Sequence, residues 1–149
     1  MVPSKNEQAN ICPSCSNIKY PDIMPAVIVG ITYEDKLLLT KYAKGSYQNY
    51  ALVAGYLEVG ETLEECVKRE AMEEVGLELY DIKYYKSQPW GFSNTIMVGF
   101  TAKAKSDKII LEVNELKEAT WFKREDITRV ENSISVGHTI INDFIDNKW

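Results

Sequence analysis

The 149-residue chain is poor in histidine, with one, in cysteine, with three, and in proline, with five. It also has no apolar run near the roughly 20 residues that a membrane-spanning helix needs. Three cysteines, two of them in one CxxC, exclude a disulfide framework. Positive charge is in deficit: 17 Lys and Arg stand against 22 Asp and Glu, for a net charge of -5. With no dense Lys/Arg run, the chain is not expected to sit on nucleic acid by general electrostatics. A polyanion could still be bound where metal ions mediate the contact. The opening MVPSKNEQAN is polar and lacks the apolar segment of a signal peptide, so a cytoplasmic location is expected. What the chain does have is 45% hydrophobic residues, enough for the core of one domain.

Residues 1–11 hold little to bury and read as a loose tail. The segment Cys12-Pro13-Ser14-Cys15 follows, and from Pro25 the pattern strengthens. Ala26–Tyr33 and Lys36–Thr40 are apolar runs across a short polar break, which predicts a hairpin. Further strands are expected at Tyr50–Ala54, Asp81–Ser87, Thr95–Ala104 and Ala119–Phe122, with helices over Thr62–Val75 and Val136–Ile145. Strands around one central helix, with a second helix at the end, favour a mixed α/β sandwich.

The first helix carries the chemistry. Thr62-Leu63-Glu64-Glu65 has the form of a capping box, and Gly76 stands where a helix commonly ends in a left-handed residue. With Leu63 at zero on a helical wheel, Val67, Ala71 and Cys66 define an apolar stripe, and Glu70 and Glu74 fall inside it at about 340° and 20°. Glutamates usually form a solvated face with i,i+4 partners. On a buried stripe, two carboxylates one turn apart are costly unless paired or bound to metal. A divalent cation resolves both burial and repulsion, because hard oxygen ligands suit Mg²⁺. Glu73 and Arg69 lie four apart on the adjoining flank, where Arg69 can orient Glu73. Before the helix, Gly55–Gly60 reads as a loop whose glycines let backbone approach a phosphate or metal. Cys66 reads as a small buried hydrophobe, and the lone His138 as a solvated helix residue.

Gly55, five residues, Glu61, seven residues, then Arg69-Glu70-Ala71-Met72-Glu73-Glu74-Val75-Gly76-Leu77 reproduces the Nudix box, and the chain closely resembles that family. The resemblance implies an α/β/α sandwich with a mixed sheet, and hydrolysis of a nucleoside diphosphate linked to another moiety. It makes Glu70, Glu74 and Glu73 metal ligands for Mg²⁺ or Mn²⁺, with the Ala54 carbonyl in the same shell and Arg69 orienting Glu73. Glu115, in a segment Glu115–Phe122 similar to one downstream in the family, becomes a further ligand or base. Glu73 and Glu115 both remain candidates for the group that accepts the proton from water.

Ser87-Gln88-Pro89-Trp90-Gly91-Phe92-Ser93 resembles the SQPWPFP motif of the NADH pyrophosphatase branch, with Gly91 and Ser93 in place of prolines. Those replacements predict a less rigid loop. By this resemblance Tyr20, Tyr56, Gln88, Pro89, Trp90, Gly91, Phe92, Ser93, Asn94, Thr95 and Gly137 are expected to contact substrate, with aromatic rings stacking on a flat base. Core packing is the ordinary alternative for those rings. The branch also implies a four-cysteine zinc ribbon, of which Cys12 and Cys15 match the second pair. Two thiolates do not close a tetrahedral zinc site, which leaves a relic, a site shared across a dimer, or a shortened chain; the relic is preferred. Residues 1–20 are therefore expected to be a tail with a ribbon remnant, and 21–149 the Nudix domain.

The expected activity is Mg²⁺-dependent cleavage of an NAD(H)-like dinucleotide to AMP and nicotinamide mononucleotide. Other substrates in view are ADP-ribose, dinucleoside polyphosphates and nucleoside triphosphates. A nucleotide-sensing module without catalysis is the reading from another class, disfavoured by the complete set of acidic positions. The expected partner is a small nucleotide; membranes are not expected, nor is nucleic acid apart from NAD-capped RNA. A homodimer is implied by the resemblance.

Overall fold

The computed structural model describes residues 1–44, 49–131 and 134–149. Three two-residue strands open the chain: β1 (Val2–Pro3), β2 (Asn10–Ile11) and β3 (Ile18–Lys19), paired antiparallel in that order. This corrects the expectation of a loose tail over residues 1–11. The small sheet holds almost no apolar burial, only Ala9 being buried. Turn hydrogen bonds add to its strand pairing, Ser4 N–H to Ala9 O at 2.8 Å and Cys12 N–H to Asn17 O at 2.9 Å. Cys12 and Cys15 sit in the turn between β2 and β3, closed by Ser16 N–H to Cys12 O at 2.9 Å.

The main sheet contains β4 (Met24–Tyr33), β5 (Lys36–Tyr42), β6 (Val53–Tyr56), β7 (Leu79–Pro89), β8 (Thr95–Ala104) and β9 (Leu116–Lys123). Its order is β7-β8-β4-β5-β9, with β6 also paired to β4. The β4–β8 pair is parallel and the others antiparallel, so the sheet is mixed as expected. One edge of β4 is divided: Ala26–Val29 pair with β6, whereas Thr32 and Tyr33 turn into β5. The predicted hairpin is present, with Glu34 at φ 53 in its turn. The strand expected to be short at Ala119–Phe122 runs over eight residues.

Two helices cover the two faces. Helix α1 (Leu63–Val75) packs Cys66, Val67, Ala71 and Val75 against Val27, Val29 and Leu38. Helix α2 (Val136–Ile145) packs Val136, Ile140, Ile141 and Phe144 against Leu37, Leu39 and Leu52 on the opposite face. Side chains alternate across a strand, which is why neighbouring residues such as Leu37 and Leu38 enter different cores. The result is the α/β/α sandwich. Among the described residues, no helix is long and apolar enough to cross a membrane.

Candidate active site

The local chemistry of α1 follows its sequence closely. Thr62 Oγ1 accepts from Glu65 N–H at 3.2 Å, and Glu65 Oε2 accepts from Thr62 N–H at 2.8 Å, completing the capping box. Gly76 ends the helix at φ 66 and donates to the Met72 carbonyl at 3.0 Å. A side chain there would be strained by that φ and would also meet Ile110 Cβ at 2.7 Å.

Both wheel-placed carboxylates are buried: Glu70 is 9% exposed and Glu74 4%. Glu74 Oε2 has no hydrogen-bond partner among the described residues. Burial, first, and then the charges of Glu70, Glu115 and Glu73 push its carboxyl up to about 8. Glu70 is also raised, chiefly by burial, against the opposing pull of Arg69. Such an orphaned, desolvated carboxylate is what a hard cation satisfies. Gly55 makes the same point from the strand side. A Cβ at this position would lie 2.0 Å from Glu70 Cδ, so the Glu70 carboxylate occupies the space that glycine leaves on β6.

Arg69 is the hub around these groups. It grips Glu61 with two hydrogen bonds, Nε to Oε1 at 2.8 Å and Nη2 to Oε2 at 3.0 Å. It also donates to the Tyr56 carbonyl at 3.0 Å, to Glu70 Oε1 at 2.7 Å and to Glu73 Oε2 at 3.1 Å. The Arg69–Glu73 pair matches the sequence expectation; the dominant Arg69–Glu61 fork is an addition to it. Arg69 holds the Glu61 carboxyl down at about 2. Glu61 precedes the helix, so no helical wheel places it beside Arg69. The fixed eight-residue spacing is the one signal that points to the pair.

Glu73 is exposed on the flank of the site. Glu115 ends a loop just before β9, with its carbonyl accepting from Ala43 N–H at 2.9 Å. Its charge is felt by both Glu70 and Glu74. The segment 109–112 runs along the end of α1, where Glu112 N–H donates to Glu74 O at 2.9 Å. Among the described residues, no three Asp, Glu, His or Cys side chains converge as a ready-made metal cage. In this arrangement Arg69 Nη1 supplies the positive charge that balances Glu70.

A cavity of about 390 Å³ opens between β6 and the start of α2, lined mainly by apolar atoms. Ala54, Trp90 and Gly137 are in its wall, together with Tyr50, Met97 and His138. Sequence reasoning missed Tyr50: its hydroxyl donates to Glu118 at 2.7 Å while its ring packs edge-on to Phe122. His138 is half-buried rather than solvated, and burial lowers its pKa.

The other expected substrate contacts are not in that wall. Tyr20 is 56% exposed and donates to Glu7 at 2.8 Å. Tyr56 shares a 3.2 Å hydrogen bond with Thr95, and Ser93 donates to Thr95 at 2.8 Å. Asn94 holds the Asp22 carbonyl at 2.7 Å. Gln88 is a clasp: its Nε2 donates to Ile134 O, and its Oε1 accepts Val136 N–H at 2.7 Å, binding the end of β7 to the start of α2. Pro89 ends β7 exposed, Gly91 has open space around it, and Phe92 is 80% exposed with its ring edge-on to Trp90 at 5.4 Å. Without prolines at 91 and 93, the turn is closed by Trp90 N–H to Thr95 O at 2.8 Å. Cys12 and Cys15 remain a two-thiol pair that does not fit a closed zinc site.

A three-layer sandwich with a glycine-cradled acidic helix defines the class of Nudix hydrolases. A NUDIX domain model matches residues 22–140, and the chain belongs to that family. It is 38% identical over 145 residues to the NAD-capped RNA hydrolase NudC of Salmonella typhi, covering 97% of this chain and 56% of that protein. The corresponding protein of Salmonella heidelberg gives the same figures. The chain thus spans about half the length of these relatives. A NUDIX hydrolase from Nitrosomonas europaea superposes with a TM-score of 0.78 at 25% identity, over 93% of this chain and 78% of that one. A NUDIX-family hydrolase from Clostridium perfringens shares the fold, with a TM-score of 0.67 at 22% identity over 85% of this chain and 98% of that one.

Proposed function

We propose that the chain hydrolyses the diphosphate bond of an NAD(H)-like dinucleotide, releasing nicotinamide mononucleotide together with AMP from the free dinucleotide, or with a 5′-monophosphorylated RNA where the dinucleotide is an RNA cap. The observation that carries the hydrolytic reading is the buried Glu70–Glu74 pair, with Glu74 Oε2 left without a partner among the described residues. Glu70 and Glu74 would hold Mg²⁺ or Mn²⁺, with Glu73, Glu115 and the Ala54 carbonyl as further oxygen donors. Such a cation, when bound, supplies positive charge to the diphosphate and makes water more acidic.

The remaining work belongs to the protein. Arg69 keeps the end of β6 and the loop that follows it to Glu61 fixed on α1, through the Tyr56 carbonyl and the Glu61 fork. Glu73 or Glu115 takes the proton from the attacking water. The apolar cavity beside Ala54 gives a flat ring a place between Trp90, Tyr50 and Met97 and excludes water from it. Specificity for NAD rests on the Ser87–Ser93 resemblance and on the name of the NudC relatives. A homodimer belongs to the same proposal; Phe92, exposed beside Trp90, would be available to a second subunit.

Glu70→Gln and Glu74→Gln, assayed under saturating Mg²⁺, should each lower kcat by about 10²- to 10³-fold, the size of losing one preorganised electrostatic partner. Near-wild-type turnover in both variants would overturn the metal assignment. A chromatographic assay offering NADH, NAD, NAD-capped RNA, ADP-ribose, diadenosine polyphosphates and dNTPs addresses specificity. Brisk cleavage of another substrate with none of the NAD-containing ones would remove NAD and leave the hydrolase.

A further inference from the structure

A second cavity, of about 260 Å³, lies near the C-terminal end of α2 and shares no lining residue with the first. Its wall contains Arg124, Lys83 and Lys103, together with Phe144 and Trp149. The charge arrangement is unusual for so acidic a chain. Lys83 and Lys103 share one carboxylate, Asp81, at 3.0 and 3.1 Å. Arg124 has no carboxylate partner among the described residues. Its guanidinium lies over the Phe144 ring at 4.3 Å, and its Nε is buried with no hydrogen-bond acceptor among the described residues. Glu34, also in the wall, makes no ion pair among the described residues. Three cations therefore face two carboxylates, and one of the cations has only an aromatic face for company.

A buried guanidinium N–H without an acceptor is rare in folded proteins, because leaving it unmade costs the desolvation of the donor. Nearby residues are otherwise well satisfied: Trp149 Nε1 donates to Ile140 O at 3.1 Å. We propose that this cavity is a second ligand site, distinct from the hydrolytic cleft, which takes a phosphate group on Arg124, Lys83 and Lys103. A guanidinium pairs with phosphate oxygens through two parallel hydrogen bonds, and ammonium groups add point charges. The volume is below the usual range for drug-sized ligands, roughly 300–1,000 Å³. It suits a phosphate with a small attached group resting on Trp149, and not an entire dinucleotide.

The test is a ¹⁵N–¹H NMR titration of the full chain, free of divalent metal, with inorganic phosphate, AMP and adenosine. Phosphate and AMP should move the Trp149 indole and Arg124 guanidinium signals, and adenosine should not. Tighter binding of AMP than of phosphate assigns the site to a phosphate monoester; equal binding assigns it to phosphate itself. Arg124→Gln should weaken the effect by about tenfold, and Lys83→Gln by several-fold, since charge-assisted contacts are lost. Lys83 is a surface position, so that variant keeps the test available if Arg124→Gln does not fold. Glu74→Gln should leave the titration unchanged, which separates this site from the cleft. Absence of movement at Trp149 and Arg124, or movement indifferent to both substitutions, would overturn the proposal.

Discussion

The two helices cover opposite faces of one sheet, yet they bury different chemistry. α2 buries Val136, Gly137, Ile140, Ile141 and Phe144, all apolar. α1 buries Cys66, Val67, Ala71 and Val75 but also Glu70 and Glu74. Apolar burial is a gain for stability at roughly 25 cal/mol per Å², whereas an unpaired buried carboxylate is a cost. A fold that tolerates the cost on one face and avoids it on the other marks the first as the candidate place for the metal-dependent chemistry. The comparison therefore predicts opposite signs for substitutions on the two helices.

The largest effect should come from α2. Ile140 is fully buried, packed on the far face of the sheet from the acidic pair. Ile140→Ala should lower unfolding free energy by about 2–5 kcal/mol, measured by urea denaturation, while the folded fraction keeps its kcat. A loss of kcat in fully folded protein would mean that the two faces are not separable.

On α1 the metal-free protein should respond in the other direction, and the response should depend on pH. The Glu74 carboxyl sits at about 8 when folded, against 4.5 when free. Below pH 4.5 both states hold the proton and the group contributes nothing. Between 4.5 and 8 the unfolded chain releases the proton while the folded chain keeps it, so stability falls as pH rises through that window. The accumulated cost is on the order of a few kcal/mol at about pH 8. Glu74→Gln should flatten this dependence and raise the melting temperature at about pH 8 in the absence of divalent metal. A parallel pH profile for both proteins would show that Glu74 is already ionised and compensated.

The smallest effect concerns the helix end. Thr62→Ala removes the acceptor for Glu65 N–H and should cost about 1 kcal/mol. The same change at Ser135, which caps α2 by accepting from His138 N–H, should cost a similar amount. Equal losses would show that caps do not distinguish the helices and that the buried glutamates do.

Local chemistry is legible in the sequence. The capping box, the left-handed Gly76, the span of α2 and the burial of Glu70 and Glu74 all follow from hydrogen-bonding rules and a 3.6-residue period acting within one segment. The N-terminal sheet is not legible there, because two-residue strands carry no periodicity and are set by turn hydrogen bonds. The Ser87–Ser93 segment shows the same limit. Its resemblance led to the expectation of a substrate loop, but Gln88 uses its amide at the start of α2, 46 and 48 residues away.

By itself, then, the sequence determined the family and the acidic face of α1, since both are written in spacings along one stretch of chain. Only the tertiary structure decided that Arg69 would grip Glu61, that Gly55 would make room for the Glu70 carboxylate, and that Arg124 would lie over Phe144 beside two lysines. These contacts join segments whose relative placement is set by sheet pairing and core packing, and no local period encodes them.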